Sequence, residues 1–184
     1  MSNLEIIILI VAIVILYGIF AYNRLIKLRN NIQNAFADID VQMKMRFDLI
    51  ENLVNTVKWY AVHEKTTLET LTQARTNFMN ASSQDDKFKA DDMVSWALKS
   101  LFAVAENYPD LKANQNFLQL QTELADIENK IAATRRFFNS TTNEYNSSVQ
   151  SFPTQIIANM FGFKKSFLPL PTKKKKLFPK YNFK

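Results

Sequence analysis

Residues 4–22 read LEIIILIVAIVILYGIFAY, apolar on every face of a helix, with a single charge, Glu5, at the edge. A helix rising about 1.5 Å per residue over that length crosses most of a hydrocarbon core about 30 Å thick. The core helix of a soluble protein is seldom apolar all round for so long. The sequence therefore predicts a transmembrane helix over 4–22. A cleaved signal peptide fits poorly, because no Lys or Arg precedes Arg24 and Ile19 stands where a small residue belongs, two positions before Ala21. Gly18 has no small partner four positions away, so a GxxxG dimer face is missing. Tyr17 and Tyr22 fall toward the inner end, where a phenol places its hydroxyl in the interface. Arg24, Lys27 and Arg29 follow at once, and the positive-inside rule puts the body in the cytoplasm and residues 1–3 outside.

The net charge of +6 gains meaning only once it is located. Residues 23–163 carry 15 Lys and Arg against 16 Asp and Glu, whereas 164–184 carry 8 Lys and no acid. The body is close to neutral and the basicity is a tail, so the high pI does not argue for a nucleic-acid-binding body. With 2 Gly and 5 Pro there are few turn-makers, which predicts an all-α chain. The absence of Cys excludes disulfides, thiolate metal sites, thiol nucleophiles and a lipid-attachment cysteine.

Beyond the span, Leu25, Leu28, Ile32, Ala35, Ile39, Met43, Phe47, Ile50, Val54, Val57 and Ala61 recur every three or four positions. This predicts one amphipathic, coiled-coil-like helix continuous with the anchor. A second stripe runs Leu68, Leu71, Ala74, Phe78, and ASSQDD at 81–86 breaks it. A third helix is expected from about Asp91 and Asp92, whose charges suit a helix N-terminus, through Met93, Ala97, Leu101 and Val104. Pro109 ends it. The fourth carries Phe117, Leu120, Leu124, Ile127, Ile131, Thr134, Phe138, Tyr145 and Val149, ending near Pro153. Short joints between such helices predict an antiparallel four-helix bundle over 23–152, an amphipathic segment over 153–168 and a disordered basic tail over 169–184.

Three stretches, YNRLIKLRNNIQNAFADIDVQMKMRFDLIENLVNTVKWYAVHE, ENYPDLKANQNFLQLQTELADIENKIAATRRFFN and EYNSSVQSFPTQIIANMFGFKK, resemble the LemA family of bacterial membrane proteins. The resemblance runs from about Leu4 to Phe167, and the ending LPLPTKKKKLFPKYNFK looks like an extension beyond the family's usual stop. It implies an N-terminal transmembrane helix and a long helical bundle, and it does not imply an enzymatic activity. It also implies an association with membrane zinc proteases of the heat-shock type, or with organelle formation in magnetic bacteria. The expected location is the bacterial cytoplasmic (inner) membrane.

Residues that carry chemistry are sparse. His63 is the one histidine, no Asp-x-Asp-x-Asp-Gly loop is present, and Asp38 and Asp40 point to different helix faces. Asp85, Asp86, Asp91 and Asp92 read as solvated charges and caps. Two glycines cannot build a phosphate-cradling loop, and Ser147 and Ser148 have no base beside them. No catalytic residue, cofactor, metal or small-molecule substrate is expected. Two segments stand out. Tyr108, Pro109 and Asp110 form a tight interhelical turn, with Asp110 capping the next helix, and the loop tip is a candidate partner contact. Phe161, Phe163, Lys164, Lys165, Lys173, Lys174, Lys175 and Lys176 join aromatic rings to lysines, a combination that suits anionic lipid. The alternative there is an apolar part packed on the bundle base with solvated lysines. The expected function is a non-enzymatic membrane scaffold or adaptor that self-associates as a homo-oligomer or docks another membrane protein, with the lipid bilayer as its other partner. The second expectation is a lipid-surface organiser acting through the tail. Nucleic acid needs only the charge of KKKK, which makes it an unspecific partner.

Overall fold

The computed structural model describes residues 2–61 and 64–166; Met1, Val62, His63 and residues 167–184 lie outside that set. Among the described residues all regular structure is helical: α1 Asn3–Lys58, α2 Lys65–Met79, α3 Gln84–Ala105, α4 Pro109–Lys112, α5 Gln115–Gln150 and α6 Thr154–Met160. Contacts divide the chain into two compact units, Met1–Ile39 with Ala133–Lys184, and Asp40–Ala132.

The Asp40–Ala132 unit is an up-down-up-down bundle, and its side-chain pairs give the directions. Phe47 stacks on Phe78 with centroids 4.1 Å apart, and Arg75 reaches Glu51 at 2.8 Å, so α2 runs antiparallel to α1. Lys87 meets Asp40 at 2.6 Å and Asp91 meets Arg46 at 2.8 Å, so α3 runs parallel to α1. Asn114 bonds the Tyr60 hydroxyl at 3.0 Å and Glu128 meets Arg46, so α5 returns antiparallel. Met43, Phe47, Ile50, Leu53, Val57, Leu71, Val94 and Leu101 fill the interior. Each buried side chain of this size contributes about 1.5–3 kcal/mol by leaving water.

Three expectations for this unit change. The third helix begins at Gln84 rather than near Asp91, because Ser83 takes an extended backbone (φ −116°, ψ 157°) and its hydroxyl accepts from the Asp86 amide. That cap satisfies an amide with no partner inside the helix. Asp91 is thereby an interior residue of α3, and it is buried. The α3 face turned inward is Phe88, Val94, Leu98 and Leu101, with Met93 40% exposed. On α1, Leu53 takes the core position expected of Val54.

The other unit pairs the first part of α1 with the last part of α5. Phe36 meets the Phe138 ring at 6.2 Å, Tyr22 the Phe163 ring at 5.6 Å, and the Tyr17 hydroxyl lies 3.1 Å from Thr154 Oγ1. Leu25, Leu28, Ile32, Ala35, Phe138, Tyr145 and Val149 form its core. The seam of α1 alternates steps of three and four from Leu25 to Ile39. Met43 then adds a second four in succession before the alternation resumes through Arg46, Ile50, Leu53 and Val57. Such a stutter shifts the seam around the helix, and it falls where one unit gives way to the other.

Candidate membrane-contact surface

From Leu4 to Phe20 the large apolar side chains of α1 are exposed, and only 6% of its most apolar window is buried. A core helix of a soluble protein would be covered, so α1 carries a candidate transmembrane segment by length, composition and exposure. Burial begins at its inner end. A Cβ on Gly18 would stand 3.7 Å from Ile157 Cδ1, Ala21 is buried, and Tyr22 lies under the Phe161 ring at 4.8 Å.

The residues that cover this end follow α5. Gln150 closes α5, and Phe152 and Pro153 turn the chain into α6. The helix is stopped by a Schellman motif: Phe163 N–H donates to Ala158 C=O at 2.8 Å and Gly162 N–H to Asn159 C=O at 3.3 Å. The motif needs a left-handed residue, and Gly162 supplies it at φ 72°. The turn brings Phe163 back under Tyr22 and places it 5.7 Å beneath the Arg29 guanidinium. Residues 164–166 then run along α5. The Tyr145 hydroxyl donates to Lys164 C=O at 2.9 Å, and Asn146 accepts from Ser166 N–H at 2.9 Å while donating to its carbonyl at 3.4 Å. Burial pushes the Tyr145 phenol above its ordinary 10.0, with Arg29 opposing.

This strap divides its apolar residues sharply. Ala158 and Phe163 are buried, whereas Phe152, Ile156, Met160 and Phe161 are 80%, 57%, 67% and 55% exposed. Of the residues expected to meet lipid, Phe161 therefore faces outward, Phe163 packs inward, and Lys164 and Lys165 are exposed. Lys173, Lys174, Lys175 and Lys176 lie outside the described residues, as does His63. The sequence carries no Asp or Glu in 6–37 or in 145–166.

Tyr108, Pro109 and Asp110 belong to the other unit. Pro109 and Asp110 are exposed in the first turn of α4, while Tyr108 donates to Glu64 at 3.2 Å. Partial burial, then that carboxylate, push its phenol above 10.0. The cap of α5 is Asn114, whose Oδ1 accepts from Phe117 N–H at 3.0 Å, and not Asp110 as expected. An open groove of about 1400 Å³ in the same unit is lined by Val54, Trp59, Leu68, Thr72 and Met93.

One group escaped the sequence reading. Arg46, 3% exposed, donates through Nη1 to Asp91 Oδ1 at 2.8 Å and Ser95 Oγ at 3.0 Å. Glu128 Oε2 lies 2.8 Å from the same nitrogen, off the hydrogen-bonding direction. Arg46 sits on the apolar seam of α1, in step with Met43 and Ile50, and that position was the available signal. The cluster ties three helices, α1, α3 and α5. Among the described residues, no group of three or more His, Cys, Asp and Glu side chains is placed to hold a metal ion.

The family model described as the LemA family matches residues 35–183. The match takes in most of the basic ending, which is therefore no extension beyond the family. Protein LemA of Metamycoplasma hominis is 32% identical over 140 residues, covering 74% of this chain and 63% of that protein. Magnetosome protein MamQ of Magnetospirillum gryphiswaldense is 33% identical over 76 residues, covering 41% of this chain and 28% of its own. Magnetosome protein MamQ 2 of Paramagnetospirillum magneticum is 24% identical over 171 residues, covering 79% and 63%. The chain spans less than two thirds of the length of each of these relatives.

Proposed function

The chain belongs to the LemA family, and on that premise we propose that it is a non-enzymatic, single-pass membrane scaffold that self-associates or docks another membrane protein. The supporting observation is that one helix, α1, is both the exposed apolar span and the first helix of the ion-pinned bundle. A partner held by the bundle is then tethered to the bilayer through an unbroken helix. The groove beside Trp59 and the 64% exposed Trp96 offer apolar area for such a partner, since aromatic side chains concentrate binding energy at interfaces. The family resemblance names a membrane zinc protease as one partner class. Arg24, Lys27 and Arg29 support a cytoplasmic body at the bacterial inner membrane.

Native mass in mild detergent tests this reading. An oligomer or a co-purifying membrane protein supports it, and a clean monomer that captures nothing counts against it. The acid-free ending favours a second reading, a lipid-surface organiser acting through the basic tail, at about 1 kcal/mol per lysine near an anionic surface. Equal vesicle binding with and without residues 164–184 defeats that reading.

A further inference from the structure

We propose that α6 is a second membrane-inserted element. It lies in the headgroup–acyl boundary of the leaflet that holds the inner end of α1, with Phe152, Ile156, Met160 and Phe161 in lipid. This rests on the membrane-anchor reading and adds to it a specific surface and its occupant.

Three observations converge on lipid rather than water or protein. The first is depth. If the hydrocarbon begins at Leu4, a rise of about 1.5 Å per residue and a core of about 30 Å put its inner edge near Arg24. Thr154 of α6 meets Tyr17, Ile157 faces Gly18, and Phe161 at the end of α6 packs on Tyr22; these α1 residues on the same rise lie about 3–10 Å inside that edge. Interfacial helices bury their apolar face about 5–10 Å into that boundary. The second is continuity. The exposed face of α6 adjoins the exposed apolar surface of α1, and a hydrogen bond and ring contacts hold the two elements together. A helix fastened to the flank of a span at that height meets whatever surrounds the span. The third is charge. Arg24, Lys27, Arg29, Lys164 and Lys165 flank the apolar residues without a carboxylate in 6–37 or 145–166, the arrangement that anionic headgroups attract. Ala158 and Phe163 meanwhile hold α6 on the protein, so the four outward residues are free to enter lipid.

The cysteine-free chain permits a direct test. Single-cysteine forms of the full chain, Leu16→Cys, Ile156→Cys, Met160→Cys and Gln119→Cys, are labelled with an environment-sensitive nitrobenzoxadiazole probe. They are reconstituted in phosphatidylethanolamine–phosphatidylglycerol vesicles with and without doxyl-labelled lipid. The expected result is lipid quenching at Leu16 and at both α6 positions, strongest at α6 for shallow doxyl groups, and none at Gln119. Quenching at Leu16 alone overturns the proposal and leaves the anchor standing. Quenching at none of these positions overturns both. Blue-shifted α6 emission that doxyl lipid does not quench means that protein covers the face, and it also overturns the proposal.

Discussion

Arg46 Nη1 donates to Asp91 Oδ1 at 2.8 Å with 3% and 2% of the two side chains exposed, an ion pair in a core that also buries Met43, Ile50, Val94, Ser95 and Leu101. Removing one partner strands the other charge away from water. Asp91→Ala is expected to destabilise the full chain by about 3–5 kcal/mol, read by thermal or denaturant unfolding in mild detergent. The double change Arg46→Met with Asp91→Leu removes both charges and is expected to be neutral or stabilising by about 1–4 kcal/mol. A single change as mild as the double would show that Glu128 alone compensates Arg46.

Gly162 holds φ 72°, and a Cβ there would meet no atom within 4 Å. Any cost of Gly162→Ala is therefore conformational, about 1–2 kcal/mol. The expected readout is faster proteolysis and amide exchange through 158–166 with α1 unchanged. Gly162→Asn is expected to cost less, because Asn tolerates the left-handed region.

Gly18 faces Ile157 at ordinary contact distance for an added Cβ, 3.7 Å. Gly18→Ala is expected to be tolerated, whereas Gly18→Leu pushes α6 off the span and raises amide exchange in Thr154–Met160. Protection of α6 that survives the leucine would show that the strap hydrogen bonds to Asn146 hold it without the Gly18 contact.

Ser83 and Asp86 form the start of α3, and the Ser83 hydroxyl holds the Asp86 carboxyl below its ordinary 3.8. A depressed acid pKa stabilises the folded state above the unfolded value and loses that effect as pH falls through the folded one. The first turn of α3 is therefore expected to loosen only below about pH 4. Ser83→Ala is expected to move the Asp86 titration upward, followed by carboxyl carbon shifts in NMR. An unmoved titration would assign the depression to Lys89.

The span, the helical class and the heptad-like seam of α1 were legible because each depends on local periodicity: apolar residues on all faces for lipid, on one stripe for a core. The site was legible in part. FGF and the following lysines read together as one lipid-facing group, but Phe161 and Phe163, two positions apart and chemically identical, have opposite fates. Phe161 is outward and Phe163 inward because the left-handed turn at Gly162 reverses the chain between them. Periodicity within a helix cannot express that reversal.

Arg46 makes the same point from the core. Its place on the seam was written in the chain, yet an arginine on an apolar stripe reads locally as an interruption. It becomes a pin only when Asp91, 45 residues away, arrives from α3 to neutralise it. With α3 started by the Ser83 cap at Gln84, Asp91 has no role at a helix end and serves a partner across the bundle. Local order of apolar and polar residues was enough to choose helices and an anchor, since both follow from burying or exposing faces in the surrounding solvent. The pairing of charges, the side of each phenylalanine that meets the protein, and the fastening of α6 to the flank of α1 were settled by folding, because each depends on groups that sequence separates and packing brings within a few ångströms.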